Sequence, residues 1–289
     1  VVASAAETQR FLLRGNDGEK DGQQLGIPQQ HRQPPPFDTF PRLAMVAEMA
    51  NLSQQVYAYR DFKGNGDVCG DWNHNNATRE DHTTCHWYRH DQGLGPQVMI
   101  VSSHSKDYLA VVFAGTDDVK TSLVDFVVRT LDFGTDDFDR HAALNASKVP
   151  VALPGCPACK VHAGFNNAVF ANHIFDDIYV RVEKLRFNFT RMYTTGHSLG
   201  AANSVLTGLA MALQFQKHDE HLTTPIISLN FGCPQVGNEE FREYIHTNYL
   251  SHGNATGKDA YLTIWRFVLG WDLVPRLPEF FEHVGHTVQ

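Results

Sequence analysis

Gly196-His197-Ser198-Leu199-Gly200 is the stretch on which the reading of this chain turns. The residues before it, Thr190-Arg191-Met192-Tyr193-Thr194-Thr195, form a short run suited to a strand. The residues after it, Ala201-Ala202-Asn203-Ser204-Val205-Leu206-Thr207-Gly208-Leu209-Ala210-Met211-Ala212-Leu213, are rich in Ala and Leu and suit a helix. A G-x-S-x-G between strand and helix makes a tight turn that projects the serine hydroxyl from the sheet edge. The glycines leave room for a strained backbone and for close passage of the helix. At a helix N-terminus the serine also faces N–H groups and a dipole that favour an oxyanion. A pentapeptide of this kind is by itself an ordinary turn. Its flanks make Ser198 the candidate nucleophile.

With 289 residues and 42% hydrophobic content, the chain can bury a large core as one α/β domain. A formal net charge of −8 and scattered basic residues argue against a nucleic-acid partner. No stretch approaches the ~20 apolar residues that a membrane helix requires, so a soluble chain is expected. Val1-Val2-Ala3-Ser4-Ala5-Ala6, with no initiator Met, looks like the tail of a signal peptide cleaved at an Ala-x-Ala pattern. Five sequons begin at Asn51, Asn76, Asn145, Asn188 and Asn254, where chance would give about two. They point to a secreted glycoprotein.

The five cysteines fit an oxidising compartment. Cys69 and Cys85 flank a polar, His-rich loop and would staple it. Cys156-Pro157-Ala158-Cys159 would close a small structural disulfide, because a Pro-rich connection precedes it and no second C-x-x-C completes a zinc site. A thiol oxidoreductase using Cys156 and Cys159 is the competing reading. Cys233 is left over in an apolar strand, as a buried thiol.

Residues 1–36 form a signal-peptide remnant and a Gln-, Gly- and Pro-rich leader that cannot pack a core, and residues 37–289 form the domain. Leu43 to Tyr59 carries apolar residues at Leu43, Val46, Met49, Ala50 and Val56 and is expected to be an amphipathic helix. Residues 60–96 read as irregular and crosslinked. Strands are expected at Gln97–Ser103, Tyr108–Ala114, Met192–Gly196, Ile226–Phe231 and Tyr261–Val268. Thr121–Leu131 reads as a helix or lid, and His162–Phe189 as a long helical region. Strands alternating with helices imply an α/β fold with a mainly parallel central sheet and helices on both faces.

A serine hydroxyl becomes a good nucleophile when a histidine takes its proton and a carboxylate fixes that histidine. In folds built around this turn the acid follows the serine in the chain, at a strand end, and the histidine comes last. Asp272 follows the expected strand Tyr261–Val268, at the end where ligands bind in such sheets. Its other reading is a cap for the turn before Val274-Pro275.

Several further segments fall in one order: Val112-Phe113-Ala114-Gly115-Thr116, Val161-His162-Ala163-Gly164-Phe165, Thr195 through Ala202, Asn230 through Asn238, Arg266 through Pro278, and Phe281-Glu282-His283-Val284-Gly285. Together they cover most of residues 40 to 289 and resemble the class 3 lipases, the triacylglycerol lipase and feruloyl esterase branch of the α/β-hydrolases. The resemblance implies Ser198 as nucleophile, Asp272 as triad acid, and backbone N–H groups of Thr116 and Leu199 as the oxyanion hole. Asp117 to Leu131 matches the family's lid, and its Val124, Phe126, Val127, Val128 and Leu131 would cover an acyl pocket and open at a lipid surface.

The chain departs from the family pattern at Ala114 (usually Arg), Ala201 (commonly Gly), Leu269 (usually Asn) and Thr287 (where Glu is expected). In the family the triad histidine lies farther downstream than His283 and His286, so the chain is expected to be a fragment truncated at both ends with its general base missing. Recruitment of His286 is the alternative. His82, His86 and His90 share a helical spacing that would suit a metal, but they sit in a polar segment without apolar periodicity and read as a solvated loop. The expectation is a secreted serine carboxylic-ester hydrolase with no cofactor and no metal, acting on triacylglycerol or similar lipid. A feruloyl or other carbohydrate ester is the alternative substrate, and an inactive hydrolase-like binding protein the alternative role. Oligomeric state stays open.

Overall fold

A computed structural model describes residues 40–59, 66–76, 83–90, 96–115, 129–135, 151–218, 224–250 and 262–289. In chain order its elements are α1 (Leu43–Gln55), α2 (Val68–Asn76), β1 (Thr84–His90), β2 (Gln97–Ser103), β3 (Tyr108–Ala114), β4 (Thr130–Leu131), β5 (Val161–His162), α3 (Ala163–Phe170), α4 (Ile174–Leu185), β6 (Met192–His197), α5 (Leu199–His218), β7 (Ile226–Phe231), α6 (Glu239–Ile245), β8 (Leu262–Phe267) and β9 (His286–Val288). Seven strands form one sheet in the order β1-β2-β3-β6-β7-β8-β9, while β4 and β5 make a separate ribbon. The β1–β2 and β2–β3 pairs are antiparallel, and every pair from β3 to β9 is parallel. This is the mainly parallel α/β sheet expected from the sequence.

The strand sequences explain why the sheet is covered on both faces. Val98, Ile100, Leu109, Val111 and Phe113 point to one side, into a core shared with Phe170, Phe175, Val205 and Leu209 of α3, α4 and α5. Met99, Val101, Tyr108, Ala110 and Val112 alternate to the other side, into a second core with Met45, Val46, Met49 and Leu52 of α1. A sheet buried on both faces requires near-continuous apolar strands, which is what β2 and β3 are. Helix α1 is tied to the sheet by a polar bond within this core, Ser53 Oγ to Thr195 Oγ1 at 2.9 Å.

Three expectations change in detail. The polar segment 60–96 holds α2 and β1, joined by the Cys69–Cys85 disulfide. The buried Trp72 donates from its indole to Thr83 O at 3.1 Å, and Asn73 bonds both the N–H and the C=O of Cys85. These bonds add to the apolar anchoring of Val68, Trp72 and Cys85 in the second core, and β1 is an edge strand, so the periodicity is weak. The helical region 162–189 is broken where Asn172 and His173 take φ 53° and 59°. The end of the expected 121–131 helix is instead strand β4, paired with Val161 and His162.

The disulfide Cys156–Cys159 is formed, and Cys233 is a buried free thiol pushed up to about 12 by burial. His86 lies on a strand and bonds Ser102 Oγ at 2.7 Å, so the helical spacing of His86 and His90 is not realised. Among the described residues no helix is long and apolar enough to cross a membrane. The segment 1–36, the lid residues 117–128, Thr116, His82 and the sequon asparagines Asn145 and Asn254 lie outside the described residues. Of the other sequons, Asn188 and Thr190 are exposed, whereas Ser53 of the Asn51 sequon is fully buried within a helix.

Candidate active site

Parallel strands β3, β6, β7 and β8 end side by side, and the turns that follow them build the site. Strand β6 runs straight into α5 through Ser198, whose φ of 56° is a left-handed value that few non-glycine residues adopt. The bend is held from both sides: Ser198 N donates to Phe231 O at 3.0 Å, and Ala201 N donates to Ser198 O at 2.9 Å. Strain of this kind persists when its surroundings over-determine it.

The two glycines of the pentapeptide are required by contact distances. A Cβ on Gly196 would lie 2.3 Å from Gly200 O, and one on Gly200 would lie 2.6 Å from the backbone of Ala114. The elbow therefore closes on itself and against the end of β3. Gly115 continues this contact, since a Cβ there would meet His197 O at 2.5 Å and Ser198 Cβ at 3.1 Å. Thr116 follows directly.

The Ser198 hydroxyl sits at the strand ends but is not open to solvent. The residue is 1% exposed and its Oγ has no hydrogen-bond partner among the described residues. A buried polar atom without a partner costs free energy, so such atoms are rare. Leu199 is the first residue of the twenty-residue α5, and its N–H is one of the first-turn donors that lack an intrahelical acceptor.

Asp272 lies beyond β8, on the far side of β7 from Ser198, and is 5% exposed. One carboxylate oxygen, Oδ1, accepts from Val274 N at 3.0 Å, which is the turn-capping bond that the sequence allowed. The other, Oδ2, faces Gly232, at the end of β7, where a Cβ would stand 2.9 Å away. The His197 ring lies 3.8 Å from the same point. Burial raises the Asp272 pKa, opposed by the Val274 N–H.

Neither downstream histidine joins Ser198. His283 Nε2 bonds Pro275 O at 2.5 Å, and burial with the nearby Arg266 lowers its pKa to about 4. His286 lies on β9 with its ring 4.7 Å from that of Trp265. Sequence reasoning missed Tyr57, from the turn after α1, whose hydroxyl is 3.1 Å from His197 Nδ1 and lies over Gly115. The two residues are 140 positions apart, and no local pattern marks the pairing.

Comparison with known proteins agrees with this frame. The family model of the class 3 lipases matches residues 110–282. A secreted mono- and diacylglycerol lipase of Malassezia restricta is 39% identical over 105 residues, covering 36% of this chain and 32% of that protein. Another, from Malassezia globosa, is 29% identical over 202 residues, covering 68% of this chain and 55% of its own length. The chain thus spans about a third to a half of these relatives. Among solved structures, the triacylglyceride lipase of Rhizomucor miehei superposes with a TM-score of 0.59 at 21% identity, covering 85% of this chain and 78% of that one. Lipase II of Rhizopus niveus gives 0.57 at 21% identity over 85% and 80%. A fold with this sheet, this elbow and this family match is an α/β-hydrolase, and the chain belongs to the class 3 lipase family.

Proposed function

We propose that this chain is the catalytic region of a secreted serine carboxylic-ester hydrolase acting on acylglycerols. Ser198 Oγ attacks the ester carbonyl, a histidine accepts its proton, and Asp272 holds that histidine in the productive tautomer. The N–H of Leu199 and, by the resemblance to the family, that of Thr116, which follows Gly115 in the sequence, stabilise the tetrahedral oxyanion. The histidine is taken to come from outside the described residues, because none of the described histidines bonds Ser198 Oγ. Its proton then goes to the leaving alcohol, and water releases the acyl group by the same steps in reverse order.

The observation that carries this reading is the backbone of Ser198. A serine at φ 56°, with both flanking glycines packed too closely for a side chain and an unpartnered Oγ, has no evident structural use. An acylglycerol substrate is supported by the family match and by the Malassezia relatives, whose names state mono- and diacylglycerols. Secretion is supported by the two disulfides and by the names of those relatives.

The test is a fluorophosphonate label on the full-length protein, read by peptide mass spectrometry, with hydrolysis of diolein, triolein and methyl ferulate measured in parallel. Label on Ser198, lost in Ser198→Ala together with glyceride hydrolysis, is the expected result. Absence of label would make the chain an inactive hydrolase-like binding protein. Preference for the ferulate would make it a feruloyl esterase.

A further inference from the structure

Behind the elbow, the face of the sheet that α5 covers turns from apolar to polar along the strands. On β6 that face carries Met192, Thr194 and Gly196, and on β7 it carries Ile226, Ser228 and Asn230, paired one to one in register. A Cβ on Gly208 of α5 would stand 3.0 Å from Thr194 Oγ1, so helix and strand are in close contact here. Thr194, Ser228 and Asn230 are all fully buried. Asn is disfavoured in a buried strand, where apolar residues pack at less cost. Directional bonds explain its presence. Thr194 Oγ1 donates to Ser228 Oγ at 2.9 Å, and Asn230 Nδ2 donates to the same oxygen at 2.9 Å.

The same amide reaches α5. Asn230 Oδ1 accepts from the hydroxyl of Ser204, itself fully buried, and that hydroxyl is shared with Ala201 O at 2.9 Å. A helical serine bonded to the carbonyl three residues back is an ordinary local arrangement. The bond to Asn230, 26 positions away, is not local. It closes a circuit around the candidate nucleophile. Ala201 N donates to Ser198 O, and Ser198 N donates to the carbonyl of Phe231, the residue after Asn230. From Ser198 the bonds run through Ala201, Ser204 and Asn230 on one side and return through Phe231 on the other.

We infer that Asn230 and Ser204 are positioning residues for the nucleophile: their buried contact fixes the first turn of α5 on the end of β7, and so holds Ser198 Oγ and the Leu199 N–H in one geometry. The inference rests on the ester-hydrolase reading and adds to it a pair that acts through the elbow and not on the substrate. Apolar packing is non-directional, so it sets which faces meet more firmly than it sets their exact register. A hydrogen bond buried among apolar groups defines both a distance and an angle. The φ of 56° at Ser198 is a strained value that relaxes unless its surroundings hold it. A misplacement of about 1 Å at reacting groups costs on the order of 100-fold in rate, so a restraint on this turn registers in kcat.

The experiment uses the full-length protein with Ser204→Ala, which removes the hydroxyl and favours the helix, and with the double variant Ser204→Ala/Asn230→Val, which makes both partners apolar. Ser198 is read by its rate of labelling with a fluorophosphonate and by kcat for p-nitrophenyl acetate, and stability by the urea midpoint. Both variants are expected to lose about tenfold in labelling rate and kcat, with KM held within about twofold. The double variant is expected to regain the urea midpoint lost by Ser204→Ala, because an apolar pair leaves neither partner unsatisfied, without regaining kcat. Wild-type rates in both variants would overturn the inference and leave the hydrolase reading intact, as would a raised KM at unchanged kcat. A kcat that returns together with the midpoint would reduce the pair to a structural contact and overturn it as well. Amide exchange at Ser198 and Ala201 gives a readout independent of turnover, expected to be about tenfold faster in Ser204→Ala. A wild type that is neither labelled nor active would overturn the hydrolase reading. The positioning of Ser198 then stands or falls with that exchange, equal rates overturning it.

Discussion

Asp272 Oδ2 rests against the bare α-carbon of Gly232, which has a left-handed φ of 59° and no room for a Cβ within 2.9 Å of that oxygen. The end of β7 is thus shaped to let a carboxylate from beyond β8 reach toward the elbow after β6. Gly232→Ala is expected to displace the carboxylate and to strain the backbone. Stability should fall by about 1–2 kcal/mol, and ester hydrolysis by at least about tenfold with KM little changed. Urea unfolding and steady-state kinetics on the same preparations check this, and a fall in stability without a fall in kcat would remove Asp272 from the mechanism.

Ser53 makes a different prediction, because its hydroxyl is spent on Thr195 and its sequon is folded into α1. Ser53→Ala should cost about 0.5–1.5 kcal/mol, since Thr195 keeps its bond to Leu229 O at 2.7 Å. The mass of the protein from a eukaryotic host should change only by the one oxygen lost with the hydroxyl. Asn188→Gln, at an exposed sequon, is expected to remove one glycan, and the two masses side by side decide the point.

The Cys69–Cys85 bridge closes a loop with a sequence separation of 16 between α2 and the edge strand β1. Replacing both cysteines with serine should destabilise the protein by about 3 kcal/mol. Amide exchange should then rise first in β1 and α2, which reach the second core only through Val68, Trp72 and Cys85 and otherwise rely on bonds from Trp72 and Asn73. Uniform loosening of the whole sheet would contradict this.

His283, whose pKa is lowered from 6.5 to about 4 by burial and by the neighbouring Arg266, contributes acid sensitivity to which His86 and His246, also lowered by burial, add in the same direction. Between those two values the unfolded chain holds a proton that the folded chain does not, so stability falls as pH drops below 6.5 and levels off below about 4. The gap corresponds to up to about 3 kcal/mol. His283→Gln should flatten the pH dependence of the urea midpoint over that window, and an unaltered slope would show that other groups set it.

Much of the architecture was legible in one dimension because it depends on short-range periodicity. Strands β2, β3 and β7 were bounded from alternation and apolar runs, since a sheet covered on both faces leaves few polar residues to confuse the pattern. Ser198 was legible for a similar local reason: two glycines and a strand-to-helix change occupy a few residues. Strand β1 and helix α2 escaped, because only a few apolar residues, Val68, Trp72 and Cys85, anchor them, and the disulfide and side-chain bonds that complete the hold act between residues whose partners are unknown until the chain folds.

The remaining decisions belong to packing. That Tyr57 lies over Gly115 and bonds His197, that Asp272 turns one oxygen to Val274 and the other to Gly232, and that the Ser198 hydroxyl is covered rather than open all depend on elements distant in the chain meeting at the strand ends. Sequence specified the candidate nucleophile, its acid and the turn between β6 and α5, through bond geometry and hydrophobic pattern. Only the close approach of β3, β6, β7 and β8 set the distances and burial on which that chemistry depends, because contacts of a few ångströms arise from packed backbones and not from residue order.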